Sequence, residues 1–220
     1  MRDLFSDISS DKWLFPRYNI TPGQPLPVMT NGQSSRISWF TWSYQSPGTA
    51  RSTEKRRPLI NARAETIRSL PSFRDSFVHR RCVIWVEGFY EWQRDSAAAR
   101  SQPYFIGIKD QVPFAIAGLW SSENSTANAA DTGKGCLVIT TEANSLMHPI
   151  HHRMPVILDK MSVSTWLNPE TSPETLHAIL QPFPSPLMFA HPVSDRVNNP
   201  LNQGPDIINP VKIIEQTSLF

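Results

Sequence analysis

The sequence predicts an α+β fold: a mostly antiparallel, barrel-like sheet with short peripheral helices. Three observations carry that reading. Proline is abundant, with 20 residues against 9 glycines, so many segments must be extended or turning and long helices should be few. Short apolar runs rich in β-branched and aromatic residues recur along the chain, separated by polar turns. No internal repeat or linker divides the 220 residues. That length suits one domain over 1–220, with a sizeable core.

In chain order, Met1 to Leu14 reads as a short helix or irregular lead-in, and Arg17 to Gly23 is rich in turn residues. Ser38 to Trp42 is a strand dense in aromatics. Residues 43–58 hold Ser, Pro, Gly and the basic run Arg51 to Arg57, so they form a surface loop. Pro58 to Thr66 leads into helical turns, and a second short helix runs through Phe73 and Phe77 with Pro71 near its start. Cys82 to Val86 is a buried strand. Glu87 to Trp92 follows it as an acidic hairpin turn with Gly88 at the tip. Gln93 to Gln102 is a polar loop. Tyr104 to Lys109 and Pro113 to Trp120 are strands joined by a tight turn at Asp110-Gln111. Ser121 to Lys134 is a polar loop and Gly135 to Thr141 a core strand. Glu142 to His148 is a helical turn, Pro155 to Leu158 a strand, and Ser162 to Leu167 a short helix. Ser172-Pro173-Glu174 supplies the N-cap and first two residues of a helix to Leu180. The tail from His191 to Ile214 is extended.

Composition narrows the function classes. With 40 % apolar and 18 % charged residues the chain is globular. A net charge of +2 gives no global basic field, although Arg51 to Arg57 and His79-Arg80-Arg81 are local basic clusters able to meet phosphates. No apolar run reaches membrane-spanning length, and Met1 to Asp7 lacks the apolar centre of a signal peptide. Cys82 and Cys136 form no metal-ligand pattern, and two cysteines in a chain of this size suggest buried thiols in a reducing cytosol. The pair His151-His152 has no third ligand spaced to make a zinc site.

The chemistry concentrates in a few polar residues. Glu87 and Glu91 sit among Trp85, Phe89, Tyr90 and Trp92. A carboxyl desolvated by such neighbours has a raised pKa and can exchange a proton near neutrality. Glu91 and His151, with Asn61 and Arg63, could make an acid–base site with an anion clamp. Trp39 and Trp42, near Arg56 and Arg57, suggest a base-stacking surface beside phosphate contacts.

These segments resemble the SRAP family, the SOS-response-associated peptidase domain. The matching motifs stand in family order: Arg17 to Gly23, Pro58 to Thr66, Glu87 to Trp92, Gln102-Pro103-Tyr104, Phe114 to Trp120, Thr140 to Asn144, Ile150 to Pro155 and Val193 to Ile208. They span residues 17–208. The resemblance implies binding of single-stranded or gapped DNA carrying abasic sites. It also implies a thiazolidine cross-link between an N-terminal cysteine and the ring-opened sugar. Carried over by motif, the family's active-site residues fall on Asn61, Glu91 and His151, and its DNA-contacting arginine on Arg63. Arg153 joins them as an expected DNA contact. No cofactor or metal is called for, and the expected protein is a cytoplasmic monomer.

Some positions depart from the family pattern. The family opens Met-Cys-Gly-Arg, whereas this chain opens Met1-Arg2-Asp3-Leu4-Phe5. Either the start lies upstream or the cysteine is lost, and in the second case the abasic-site-processing activity is weakened. His152 stands where Asp is usual, Phe40 where Gly is usual, and Ser43 near a usual Pro. Two other readings compete: a DNA-binding module without catalysis, and a peptidase acting on proteins. The peptidase ranks lowest, because Cys82 and Cys136 lie outside the active-site motifs.

Overall fold

A computed structural model describes residues 16–46, 58–94, 101–110, 113–122 and 133–212. The lead-in before Pro16, the basic run with Arg56 and Arg57, and most of the polar stretch after Ser121 lie outside the described residues.

The first sheet is built from β1 (Pro25–Thr30), β2 (Gln33–Trp42), β3 (Asn61–Arg63), β4 (Arg81–Val86), β7 (Phe114–Ser121), β8 (Gly135–Glu142), β9 (Arg153–Pro155) and β10 (Ile157–Leu158). Its pairings β1–β2, β2–β8, β8–β7, β7–β4 and β4–β1 return on themselves, which gives the barrel-like form expected. Most ladders are antiparallel; β8 pairs in parallel with β2 and β3. A second, three-stranded sheet holds β5 (Phe89–Arg94), β6 (Ser101–Ile108) and β11 (Met188–Pro192). The helices α1 (Pro71–His79), α2 (Lys160–Leu167) and α3 (Pro173–Ala178) are short, in line with the proline content.

Strand β4 is buried along both faces, which explains its unbroken apolar run. Val83 and Trp85 join a cluster with Phe73 and Phe77 of α1 and with Val163, Trp166 and Leu167 of α2. The alternate residues Cys82 and Ile84 join another cluster with Ile106, Ile108 and Met188 of the second sheet. Both cysteines are free and buried, and burial pushes the Cys82 thiol well above its usual range.

Glu87-Gly88 is not a hairpin tip. β4 pairs with β1 and β7, whereas β5 pairs with β6, so the chain changes sheet there. A Cβ on Gly88 would lie 2.2 Å from the Phe105 ring and 2.8 Å from the Ile106 carbonyl oxygen, so only glycine lets the strands approach so closely.

Several other expectations change in detail. The predicted loop 93–102 is partly strand, because Gln93 pairs with Gln102 and Arg94 with Ser101. The two strands around Asp110 lie in different sheets; Asp110 itself takes a positive φ of 56°. In the predicted surface loop, Tyr44 is fully buried, pairs with Leu59, and its hydroxyl lies 2.8 Å from Ser76 Oγ. The run after Pro58 is first a strand, β3, and only then hydrogen-bonded turns. α2 begins earlier than expected because the Asp159 side chain caps it, accepting from the Ser162 amide at 2.7 Å. α3 starts as expected, with Ser172 as N-cap, and ends at Ala178.

Candidate functional site

Asn61, Arg63, Glu91, His151, Arg153, Trp39 and Trp42 all line one cleft of about 970 Å³ at the boundary between the two sheets. Strand β3 presents the first two. Its central residue, Ala62, is buried and the flanking Asn61 and Arg63 are exposed, so both project on one side. The side chains of Asn61 and Arg63 make no hydrogen bond or ion pair among the described residues, and both groups are available to a ligand. Trp42 braces this strand: its indole N–H donates to the Ile60 carbonyl at 2.9 Å.

Glu91 lies on β5 opposite Tyr104 of β6, and shares its face with Phe89. The sequence neighbours Tyr90 and Trp92 face away. The Tyr90 hydroxyl donates to the Tyr18 carbonyl at 2.7 Å, and the Trp92 indole to Asn198 Oδ1 at 2.7 Å, fastening the segment around Tyr18 and the tail to β5. Burial raises the Glu91 pKa; the nearby His151 and the Trp92 amide pull the other way and do not cancel it. The raised carboxyl matches the expectation from sequence, and Trp85, Phe89, Tyr90 and Trp92 line the cleft beside it.

His151 is delivered by the turn that follows β8. Asn144 Oδ1 accepts from the Leu146 and Met147 amides at 3.1 and 3.0 Å, and its amide donates to the Phe183 carbonyl at 2.6 Å. The turn closes with the His151 amide on the Met147 carbonyl at 2.9 Å. His151 Nδ1 then lies 3.7 Å from Glu91 Oε1. The same nitrogen is 3.2 Å from the Arg153 amide and 3.0 Å from the Arg153 carbonyl oxygen. Neutral at Nδ1, the ring accepts from the amide; protonated there, it donates to the carbonyl. Nδ1 therefore has one backbone partner in either protonation state, which suits a proton shuttle beside Glu91.

His152 is exposed, its ring 4.4 Å from that of His151. Its pKa is lowered, first by His151, then by its slight burial and by Arg153, Arg63 and Arg94. Arg153 is not an open cation. Its guanidinium forks onto Glu65 at 2.8 and 2.9 Å and donates to the Thr140 carbonyl at 2.7 Å. Glu65 is not among the site residues expected from sequence; its position two residues after Arg63 is the available signal. Arg56 and Arg57 lie outside the described residues, so the stacking surface is described only on its Trp39 and Trp42 side.

Among the described residues, no group of three or more His, Cys, Asp or Glu side chains is arranged to hold a metal, and no helix is long and apolar enough to cross a membrane. The arrangement provides a protonatable carboxyl, an imidazole with two backbone partners, and an exposed amide and guanidinium facing one cleft.

Comparison with known proteins bears on the family and the fold. The family model described as SOS response associated peptidase (SRAP) matches residues 1–200. The abasic site processing protein YoqW of Bacillus subtilis (strain 168) is 37 % identical over 214 residues, covering 94 % of this chain and 93 % of its own. The abasic site processing protein YedK of Escherichia coli (strain K12) is 29 % identical over 212 residues, covering 95 % and 91 %. A crystal structure of a protein from Bacteroides thetaiotaomicron superposes with a TM-score of 0.79 at 29 % identity, covering 94 % of this chain and 93 % of that one.

Proposed function

The chain belongs to the SOS response associated peptidase (SRAP) family, and from that premise we propose that it binds single-stranded or gapped DNA at abasic sites and processes the exposed sugar. The observation that carries this reading is the pairing of Glu91, with its raised pKa, and His151 at 3.7 Å in the cleft that Asn61 and Arg63 also line. The names of the relatives, abasic site processing proteins, support the choice of substrate.

In this reading Arg63 holds a backbone phosphate and Asn61 the sugar. The abasic sugar is a cyclic hemiacetal. Protonated Glu91 gives its proton to the ring oxygen as the bond to C1′ breaks, and the C1′ hydroxyl proton passes to His151, leaving an aldehyde. An amine adds to that aldehyde; the proton taken up by His151 returns to Glu91, which passes it to the departing hydroxyl, and loss of water gives an imine. A neighbouring thiol would add to the imine carbon and close a thiazolidine. Arg2 stands where the family pattern has the cysteine, and its guanidinium stays protonated and has no sulfur. The α-amine of a protein beginning at Met1, with a pKa of roughly 7.7–8.0, is partly neutral at pH 7 and can reach the imine stage only. The buried Cys82 and Cys136 cannot serve in place of an N-terminal thiol.

The binding step is tested by titrating labelled oligonucleotides. Abasic single strands and single-strand junctions should bind more tightly than intact duplex, with affinity falling as salt rises. Arg63→Ala should weaken binding and reduce the salt slope by roughly one phosphate contact, with the thermal midpoint unchanged. Equal affinity for duplex at all salt concentrations would sink the proposed substrate. A lowered midpoint with an unchanged salt slope would make Arg63 a structural residue.

A further inference from the structure

We propose that Glu65 is a positioning residue of this site: its two-pronged pair with Arg153 holds the His151 ring in register with Glu91 and with the strand that carries Asn61 and Arg63. The inference rests on the reading above and deepens it.

Three contacts converge on the pair. Glu65 Oε1 and Oε2 accept from Arg153 Nη1 and Nη2 at 2.8 and 2.9 Å, a planar fork that fixes direction as well as distance. Arg153 Nη2 also donates to the Thr140 carbonyl at 2.7 Å, and that carbonyl accepts the Ala64 amide at 2.8 Å. Thr140 stands beside Arg63 in the β3–β8 ladder. The guanidinium therefore ties the end of β3 to β9 through β8. The third contact runs through the main chain of Arg153, whose amide and carbonyl are the two backbone partners of His151 Nδ1. A shift of Arg153 moves both partners of that nitrogen together.

The setting makes the pair stiffer than a solvated one. The Arg153 side chain is only 14 % exposed and that of Glu65 42 %. The Arg153 hydrogen bonds hold the Glu65 carboxyl below its usual pKa range, so it stays ionised through the neutral region. The ionisable groups around the His151–Arg153 segment are Glu91 from β5, Arg63 from β3, His152 within it and Arg94 at the end of β5; Glu142 stands opposite Arg153 on β8. None of them duplicates the Glu65 fork. Arg153 uses both terminal nitrogens within the chain, so a DNA phosphate would have to displace Glu65 to reach it.

The test uses the full chain with Glu65→Gln, Glu65→Asp and Arg153→Ala. Borohydride-trapped adduct with labelled abasic single-stranded DNA is followed as a rate against pH, beside DNA affinity, thermal midpoint and the His151 ring nitrogen signals by NMR without DNA. Glu65→Gln should slow trapping by up to about a hundredfold, since displacing a catalytic group by an ångström has that scale of effect. It should also move the pH profile and the His151 signals, with DNA affinity near that of the parent. Glu65→Asp should recover part of the rate, and adding Arg153→Ala to Glu65→Gln should cost little more, because the two act as one unit. A parent-like rate and pH profile for Glu65→Gln would overturn the proposal. So would weakened DNA binding by Arg153→Ala at an unchanged trapping rate, which would make Arg153 a DNA contact. If the parent forms no adduct, the abasic-site reading fails; the DNA-free His151 signals still decide whether Glu65 sets that ring.

Discussion

Glu91→Gln is expected to lower the rate of abasic-sugar processing by roughly 10²–10⁴-fold, the usual contribution of a positioned acid–base group. The same change should raise thermal stability at neutral and mildly alkaline pH. The sign follows from the raised pKa. Between its unfolded and folded values the folded state holds a proton that the unfolded state has released, so stability contributed by Glu91 is present at low pH and lost as pH rises through the folded pKa. Gln keeps the neutral shape and removes that loss. The gap between variant and parent should open with rising pH and close in acid, where both carry a neutral group. Activity should show the matching dependence, falling as pH rises and the general acid is lost. Parallel measurement of trapping rate and thermal midpoint across pH checks both halves. An unchanged rate would remove Glu91 from the chemistry, and a lowered midpoint at alkaline pH would make it a structural anion.

The second large effect is on stability alone. Arg81 is completely buried, and burial pulls its pKa down. No carboxylate is paired with it among the described residues. Instead its guanidinium donates to Phe77 and Val78 carbonyls at the end of α1 and to those of Trp166 and Asn168 at the end of α2. The final carbonyls of a helix have no partner of their own and carry its negative dipole end. One side chain therefore satisfies two helix ends and docks both on the sheet. Arg81→Met keeps the apolar stem and abandons four buried acceptors. The expected loss is on the order of 3–5 kcal/mol, a fall in thermal midpoint of roughly 6–20 °C for a chain of this length. Arg81→Lys should recover only part of it, since an ammonium cannot spread over the same fork. A scanning-calorimetry midpoint for Arg81→Met equal to that of the parent would refute this account of the helix–sheet junction.

Arg81 also shows where reading the sequence stops. Its basic run, His79-Arg80-Arg81, looks like a surface cluster for phosphates, yet Arg81 is buried and Arg80 pairs with Asp75. Charge is legible in a sequence, but one of the two helix ends that receive it comes from residues 85 and 87 positions away. The same limit applies to Glu65 and Arg153, which are 88 residues apart and meet only through β8. By contrast, the strand at Cys82 to Val86 was legible because burial on both faces leaves a local apolar signature. The caps at Ser172 and Pro173 were legible because capping is local as well. Asn61, Arg63, Glu91 and His151 were found through motif order; their composition alone does not say that they share a cleft. The sheet change at Gly88 escaped notice because a hairpin tip and a strand crossing beneath an aromatic ring both call for glycine.

The most direct test is a denaturing gel with labelled abasic single-stranded DNA, run with and without borohydride, for the protein beginning Met1-Arg2 and for Arg2→Cys with the methionine removed. The expected result is a borohydride-dependent adduct from the first protein and a heat-stable adduct without reductant from the second. Both should depend on Glu91 and His151, and neither should form on the same oligonucleotide with an intact base. A heat-stable band from the Arg2 protein would show that the nucleophile is wrongly assigned. The absence of any adduct from the Cys variant would contradict the claim that this cleft processes abasic sites.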